Sequence, residues 1–281
     1  MIDHNLLDHQ PEDLLVDRQD GILQLSINRP LRCNAWTSAL RDELTQRLNA
    51  ADQDSGVRAL ILTGAGERAF CSGQDLYELE TFIDGATISQ WVSRLTRCYD
   101  AVRAFSKPLV AAVNGVAAGS GFQVTQFCDY VVAHHQVRMG QTEVNSGLPS
   151  IFGTWLMWER IGRRAIELAL QGRLMQAHEA HQLGFVQEVV DADQVSRVAV
   201  QAAERLAAQP RTAFRYSKLA NRQFDQAGYE RAMSMVAAYY REAFDTGEPQ
   251  AYINRFFEIR AARRAQREAS ATGAGTASQA G

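Results

Sequence analysis

The sequence NGVAAGSGFQVTQFCDY (residues 114–130) places a glycine-rich loop between a strand-like segment and a helix-like segment. Gly119, Ser120 and Gly121 let the backbone approach a ligand closely, and a helix starting there would direct main-chain N–H groups at it. This pattern predicts a loop that holds a negatively charged oxygen with backbone amides. Gln123, just after the loop, is an amide, which forms hydrogen bonds but does not transfer a proton at neutral pH.

Buried strands alternate with helices on both sides of this loop. VRALILTG (57–64) and the PLVAAV segment before the loop are short apolar runs, typical of strands buried on both faces. From residue 152 onward helix-like runs dominate, among them residues 210–222 and 228–244. This order of elements predicts an α/β core followed by a helical C-terminal region.

Composition and charge narrow the function classes. The 281 residues are 46% hydrophobic and carry a net charge of −3, which provides no basic surface for nucleic acid or an anionic membrane. The acidic N-terminus lacks the apolar segment of a signal peptide, and no apolar run reaches the roughly 18 residues of a membrane span. The four cysteines are widely spaced, as expected for reduced thiols. We therefore expect a cytoplasmic protein without nucleic-acid or membrane partners.

A second glycine-containing loop, FCSGQDL (70–76), also follows a buried strand. Loops at the strand ends of an α/β sheet are favoured ligand sites, and two converging loops would form an oxyanion hole, although either loop alone also fits a simple tight turn. Two other motifs fail on spacing. GAGERA (64–69) lacks the third glycine of a dinucleotide-binding loop, and Ala118 and Phe122 occupy the glycine positions that a nucleophile elbow around Ser120 requires.

Five segments, in order between about residues 14 and 190, resemble the crotonase superfamily, the enoyl-CoA hydratase/isomerase family. They are INRP…NAW, VRALILTGAGERAFCSGQDL, KPLVAAVNGVAAGSGFQVTQFCDY, RMGQTEV and GRRAIELALQGRLMQAHEAHQLGFVQEVV. The resemblance implies an α/β spiral of ββα units and C-terminal helices that build homotrimers, often paired into hexamers. It also implies an acyl-CoA thioester as substrate, so that coenzyme A is part of the substrate and no separate cofactor or metal is expected.

The resemblance and the composition together divide the chain into three parts. Residues 1–200 are predicted to form the crotonase core, and residues 201–265 the helical trimerisation region. Residues 266–281 are mostly small and polar without periodicity, and we predict a disordered tail there.

The resemblance assigns roles to single residues. The main-chain amides of Gln74 and Ser120 match the two donors of the family's oxyanion hole, which stabilises the enolate formed when a proton leaves the carbon next to the thioester. Glu143 in GQTEV matches one of the two glutamates that the family's hydratases use. The other glutamate position falls on Gln123, so hydration by a pair of glutamates is not expected.

A single carboxylate is sufficient to move a double bond, because one base can remove a proton from one carbon and return it to another. The leading interpretation is therefore an enoyl-CoA isomerase with Glu143 as acid/base. Hydration with Gln123 orienting water is the alternative, followed by thioester hydrolysis and decarboxylation. In the similar isomerases of phenylacetate degradation the acid lies on the next loop, where Ser150 stands here. An alternative of another class is a catalytically degenerate CoA- or RNA-binding protein.

Further positions complete the predicted site. The predicted CoA- and substrate-binding residues are Arg29, Arg68, Ser72, Asp75, Gly119, Gly121, Phe152 and Trp155. Arg68 matches a position where the family often has a basic residue near the CoA phosphates, and Phe152 and Trp155 are expected to shape the acyl pocket. For Arg29 and Arg68, a solvated surface charge is the alternative interpretation.

Overall fold

The computed structural model describes residues 10–82 and 84–277, except for the side chains of residues 11, 263–265 and 267–277. Most of the N-terminal segment for which no signal peptide was predicted lies outside these residues. The strands are β1 (Leu14–Gln19), β2 (Ile22–Ile27), β3 (Ala59–Gly64), β4 (Ala69–Cys71), β5 (Leu109–Val113), β6 (Val116–Ala118), β7 (Tyr130–His134), β8 (Arg138–Gly140), β9 (Met175–Gln176) and β10 (Glu188–Val190). The α-helices are α1 (Ser38–Gln53), α2 (Leu76–Glu80), α3 (Gly85–Ala104), α4 (Ser120–Thr125), α5 (Ile151–Ile161), α6 (Arg164–Gln171), α7 (Ala177–Gln182), α8 (Val195–Ala207), α9 (Arg211–Asp245) and α10 (Glu248–Ala277).

Two sheets form the core, and the chain passes repeatedly from one to the other. The larger sheet has the order β1-β2-β3-β5-β7-β10 and is parallel apart from the β1/β2 hairpin. The smaller sheet has the order β4-β6-β8-β9 and is parallel apart from the β8/β9 pair. The pairs β3/β4, β5/β6 and β7/β8 each run from the larger sheet into the smaller one before helices carry the chain onward. This repetition is the predicted spiral of ββα units.

Alternation along β3 buries side chains on both faces of the larger sheet. Leu60 and Leu62 belong to the main core cluster, whereas Ala59 and Ile61 pack in a second cluster with Val198 and its neighbours on α8. These four β3 residues are at most 2% exposed. The prediction of a strand without a polar face is confirmed, and it explains why the apolar run is continuous.

α9 is one uninterrupted helix of 35 residues, whereas the sequence predicted two helices at residues 210–222 and 228–244. Gly228 lies in its interior, at a cost of about 1 kcal/mol relative to alanine. The helix continues because it packs closely there. A Cβ atom at Gly228 would lie 2.6 Å from the indole nitrogen of Trp155, and the next residue, Tyr229, is buried. Tertiary packing therefore overrides the local signal for a break.

α10 extends to Ala277, so the predicted disordered tail needs correction for residues 266–277, while residues 278–281 lie outside the described part of the chain. Residues 260–270 are mostly Ala, Arg, Gln and Glu, whose high helix propensity favours continuation of the helix. Among the described residues, no helix is both long enough and apolar enough to cross a membrane.

Candidate active site

The loop after β4 contains a main-chain amide that the described residues leave without a hydrogen-bond acceptor. The N–H of Trp36 donates to the carbonyl of Gly73 at 3.0 Å, and the carbonyl of Trp36 accepts from the N–H of Asp75 at 3.1 Å. Asp75 also caps α2, because its Oδ1 accepts from the N–H of Tyr77 at 3.0 Å. Between these bonds, the N–H of Gln74 donates to no acceptor among the described residues. It is therefore available to a ligand.

The glycine-rich loop after β6 lies against this first loop. A Cβ atom at Gly121 would lie 2.2 Å from the carbonyl oxygen of Cys71, so no side chain fits where the two loops touch. A Cβ atom at Gly73 would lie 3.5 Å from the amide nitrogen of Ser120. Ser120 is the first residue of α4, and its N–H has no acceptor in the part of the chain that the structure describes. The unpaired amides of Gln74 and Ser120 thus belong to two touching loops.

Buried side chains hold the residues that carry these two amides. Trp36 Nε1 donates to Ser120 Oγ at 2.8 Å, and the guanidinium of Arg41 donates to Gln74 Oε1. Trp36 and Arg41 are both fully buried. Arg41 was not predicted from the sequence, although a cation on the apolar face of α1 is an unusual feature that could have indicated a buried partner.

Glu143 begins a 3-10 turn, Glu143–Ser146, and its carboxyl lies beside the glycine-rich loop. A Cβ atom at Gly119 would lie 3.3 Å from Glu143 Oε1. Oε1 accepts from Gln123 Nε2 at 2.9 Å, and Oε2 accepts from the hydroxyl of Ser150 at 3.5 Å. Burial raises the pKa of Glu143 to about 7, although hydrogen bonds from the main chain and Ser150 act to lower it. A carboxyl with this pKa can accept and release a proton near neutral pH.

The side-chain amide of Gln123 is bound at both ends. Its oxygen accepts from the Tyr99 hydroxyl at 2.5 Å. Its nitrogen donates to Glu143 and, at 3.0 Å, to Gln141 Oε1. Gln123, Tyr99 and Gln141 are all buried. One N–H of Gln123 is therefore engaged with Glu143 and orients its carboxyl, while the bond to Gln141 depends on which end of the Gln141 amide faces Gln123.

Gln141 can present either end of its amide to Glu143. With its oxygen there, it accepts from Gln123 and is placed to accept the proton of a neutral Glu143. With its nitrogen there, it donates to both carboxylate oxygens, at 2.8 and 2.6 Å. The side chain fits because a glycine of α5 faces it, where a Cβ atom at Gly153 would lie 2.0 Å from Gln141 Oε1. Gln141 thus matches both protonation states of Glu143.

Gln74, Ser120, Gln123 and Glu143 line a cavity of about 350 Å³. The predicted site residues in its wall are Ser72, Gln74, Asp75, Gly119, Ser120, Gln123, Glu143 and Phe152. Glu143 and Asp75 are the acidic residues in the described part of the wall. Asp75 is 2% exposed and forms an ion pair with Arg29 at 2.8 Å. Glu143 is therefore the carboxyl that remains available for chemistry.

Four predicted residues lie outside this wall. Arg29 is buried in its ion pair and supports the loops, which differs from the predicted contact with CoA. Gly121 serves the close approach of the two loops described above. Trp155 packs behind Phe152, with ring centroids 5.2 Å apart, so it supports the wall and does not form it. Arg68 is exposed, and its contact with the CoA phosphates stays a prediction.

The last two helices complete the cavity wall. Their contributions are Val236, Tyr240, Phe256, Phe257 and Arg260. Phe257 packs on Tyr77 with ring centroids 4.2 Å apart, and the guanidinium of Arg32 lies 4.0 Å from the centre of the same tyrosine ring. These residues were not predicted from the sequence, because the packing of a long helix decides which of its faces meets the cavity.

Comparison with known proteins agrees with this arrangement. The sequence matches the family model described as Enoyl-CoA hydratase/isomerase over residues 17–267. It is 31% identical over 250 residues to the 2,3-dehydroadipyl-CoA hydratase of Escherichia coli (strain K12), across 88% of this chain and 96% of that protein. It is 35% identical over 209 residues to the 1,2-epoxyphenylacetyl-CoA isomerase of the same strain, across 71% of this chain and 78% of that protein.

Solved structures show the same relationship. The crystal structure of an enoyl-CoA hydratase from Bacillus anthracis superposes with a TM-score of 0.72 at 31% identity, across 81% of this chain and 90% of that chain. Its fold, the family match and the two relatives all agree with the family resemblance of the five sequence segments. The chain therefore has the crotonase fold and belongs to the enoyl-CoA hydratase/isomerase family.

Proposed function

We propose that this protein moves the double bond of an enoyl-CoA, with Glu143 as its single acid/base. The observation that carries the proposal is one available carboxyl in the same cavity as two unpaired main-chain amides. Gln123 occupies the position where the family's hydratases have a second glutamate, and its side-chain nitrogen donates to Glu143. This arrangement supports proton transfer by one group in preference to the addition of water by two.

The proposed reaction begins when the thioester oxygen accepts hydrogen bonds from the N–H groups of Gln74 and Ser120. Glu143 removes a proton from the carbon between the thioester carbonyl and the double bond. The electrons of that C–H bond move into a dienolate, whose negative charge on the thioester oxygen the two amides stabilise. The protonated Glu143 then returns the proton to the far end of the dienolate. The double bond moves one position toward the thioester, and the mass of the substrate is unchanged.

The test incubates the protein with a panel of 2-enoyl- and 3-enoyl-CoAs and follows product mass and ultraviolet absorbance. Isomerisation gives a product of equal mass with a changed absorbance, whereas hydration gives a product heavier by one water. We expect Glu143→Gln to lower turnover by about 10²–10⁴-fold, with circular dichroism and acyl-CoA binding retained.

The matched control is Glu159→Gln, which removes an exposed carboxyl on α5 and is expected to leave turnover unchanged. Undiminished turnover in Glu143→Gln would contradict the assignment of the base. Water addition as the main reaction of the wild-type protein would favour the hydratase alternative, a reaction for which one of the relatives above is named.

A further inference from the structure

The cavity wall formed by α3, α5 and α9 is apolar with one exception. Trp91, Leu95, Phe152 and Val236 present carbon surface, and Tyr240 adds a hydroxyl. The Tyr240 ring stacks on Trp91, with ring centroids 5.6 Å apart and an interplanar angle of 15°. Tyr240 is 8% exposed and Trp91 is 3% exposed. Packing therefore holds the phenol at a defined place in the wall.

The hydroxyl of Tyr240 differs from those of Tyr99 and Tyr229, the buried tyrosines nearby, in having no partner among the residues that the structure describes. The Tyr99 hydroxyl donates to Gln123 at 2.5 Å, and the Tyr229 hydroxyl lies 3.5 Å from the carbonyl of Thr96. The Tyr240 hydroxyl makes no hydrogen bond with any residue that the structure describes. It is also not among the unpaired atoms that are sealed from solvent, unlike the indole nitrogen of Trp91. It is thus an open group in the cavity.

This hydroxyl keeps its proton at neutral pH. Burial raises the pKa of Tyr240 far above its ordinary value, and the nearby charge of Glu143 raises it further. The phenol is therefore available as a hydrogen-bond donor and not as a general acid. An alkyl chain in the cavity would remove water from the hydroxyl and leave it unsatisfied, which is unfavourable. An oxygen on the bound acyl group would satisfy it.

We propose that Tyr240 is a specificity-determining residue that donates a hydrogen bond to an uncharged oxygen on the acyl chain of the substrate. The preferred substrate class is then an enoyl-CoA with a hydroxyl, carbonyl or ether oxygen in its chain, in place of a plain alkyl chain. A carboxylate is disfavoured because it would add a second negative charge near Glu143. This inference rests on the proposed function of the cavity as an acyl-CoA site.

The experiment compares saturated acyl-CoAs, which bind without reacting. Dissociation constants are measured by calorimetry for hexanoyl-CoA and for its 5-oxo, 5-hydroxy and 6-hydroxy derivatives. We expect the wild-type protein to bind at least one oxygenated compound about 10- to 100-fold more tightly than hexanoyl-CoA. Tyr240→Phe should reduce this ratio to near one. Tyr239→Phe is the matched control, since Tyr239 is 44% exposed and lies outside the cavity wall, and it should retain the ratio.

The outcomes separate this inference from the proposed function. If hexanoyl-CoA binds as tightly as every oxygenated compound, or if Tyr240→Phe retains the ratio, the inference is overturned while the acyl-CoA site stands. If no acyl-CoA binds to the wild-type protein, both the inference and the proposed function are contradicted. Because the ratio is read from binding alone, it stays informative even if the reaction proves to be hydration.

Discussion

Glu143 is a carboxyl in surroundings that disfavour its negative charge, with amides in place of bulk water. Gln123 donates to it, and Gln141 fits it as donor or acceptor. Neither amide titrates, so neither competes for the proton that Glu143 carries. The raised pKa of about 7 therefore belongs to one group, which simplifies the expected dependence of activity on pH. Below about pH 7 the base is increasingly protonated, and the rate of proton abstraction should fall.

The same shift predicts how stability depends on pH. The folded-state pKa of about 7 lies above the ordinary value of 4.5, so the folded protein holds more protons than the unfolded chain between these values. The wild-type free energy of unfolding should therefore lose part of its value as pH rises from 4.5 through 7. Glu143→Gln does not titrate. The free energy of unfolding of Glu143→Gln minus that of the wild type should rise from near zero at pH 4.5 to at most about 3 kcal/mol above pH 8.

Urea denaturation of both proteins across this pH range is the measurement. Glu159→Gln again provides the control, because it makes the same chemical change at an exposed side chain. A constant difference in unfolding free energy between Glu143→Gln and wild type from pH 4.5 to pH 8.5 would show that burial does not raise the pKa of Glu143.

Single residues were predictable to different degrees. Glu143 and Gln123 were predicted to share one site because each sits in a recognisable motif, and the structure places them 2.9 Å apart. Tyr99 was not predicted, since it lies on α3, 24 residues before Gln123, and reaches it only through the packing of that helix. Tyr240 is still farther along the chain. Side chains that reach a site from a distant packed helix have no local sequence pattern that would predict their role.

At the scale of elements, the important feature of the short helix α4 is the main-chain N–H of its first residue. Ser120 is the first helical residue, where a main-chain N–H has no partner within the helix. The hydroxyl of the same residue accepts from Trp36 at 2.8 Å, which fixes the start of the helix. The amide and the hydroxyl can be separated by mutation, because proline is compatible with the first position of a helix but has no N–H.

We expect Ser120→Pro to lower kcat/KM by about 10²–10³-fold, the usual effect of removing one oxyanion donor. Ser120→Ala keeps the amide and loses only the bond from Trp36, so a smaller decrease is expected. Steady-state kinetics with the preferred enoyl-CoA measures both, and circular dichroism checks that both variants fold. Equal activities in the proline and alanine variants would show that this amide does not contact the reacting oxygen.

Helices and strands were predicted correctly where the local sequence pattern and the tertiary packing favour the same structure. β3 was predicted because both of its faces are buried, so every position must be apolar. The predicted break in α9 was wrong because the glycine signal is local, whereas the contact of Gly228 with Trp155 is made across the fold. The extension of α10 through residues 266–270 likewise reflects helix propensity, which requires no hydrophobic periodicity.

At the scale of the whole molecule, the first half of α9 leaves apolar side chains exposed. Tyr216 is 59% exposed, Leu219 42% and Phe224 86%, and the buried residues of this helix begin only at Tyr229. Exposed apolar side chains grouped on one segment often mark an interface. The homotrimer expected from the sequence stays a prediction, and this half of α9 is the surface on which it can be examined.

We expect Phe224→Glu to reduce the molar mass that light scattering measures, because a charge placed in an apolar interface is costly to bury. The fold itself should persist, since Phe224 is 86% exposed in the single chain. Gln223→Glu adds the same charge at the neighbouring exposed position and should change the mass less. A wild-type protein that is already monomeric, or a mass unaffected by Phe224→Glu, would show that this segment does not join subunits.

The cavity wall draws on two distant stretches of the chain. The unpaired amides and the carboxyl come from loops before residue 150, whereas Tyr240, Phe257 and their neighbours come from α9 and α10. Substitutions along the last two helices can therefore change the shape of the cavity wall without straining the loops that carry the amides and the carboxyl. Proteins built in this way can differ in the substrates they accept while keeping the same groups for proton transfer.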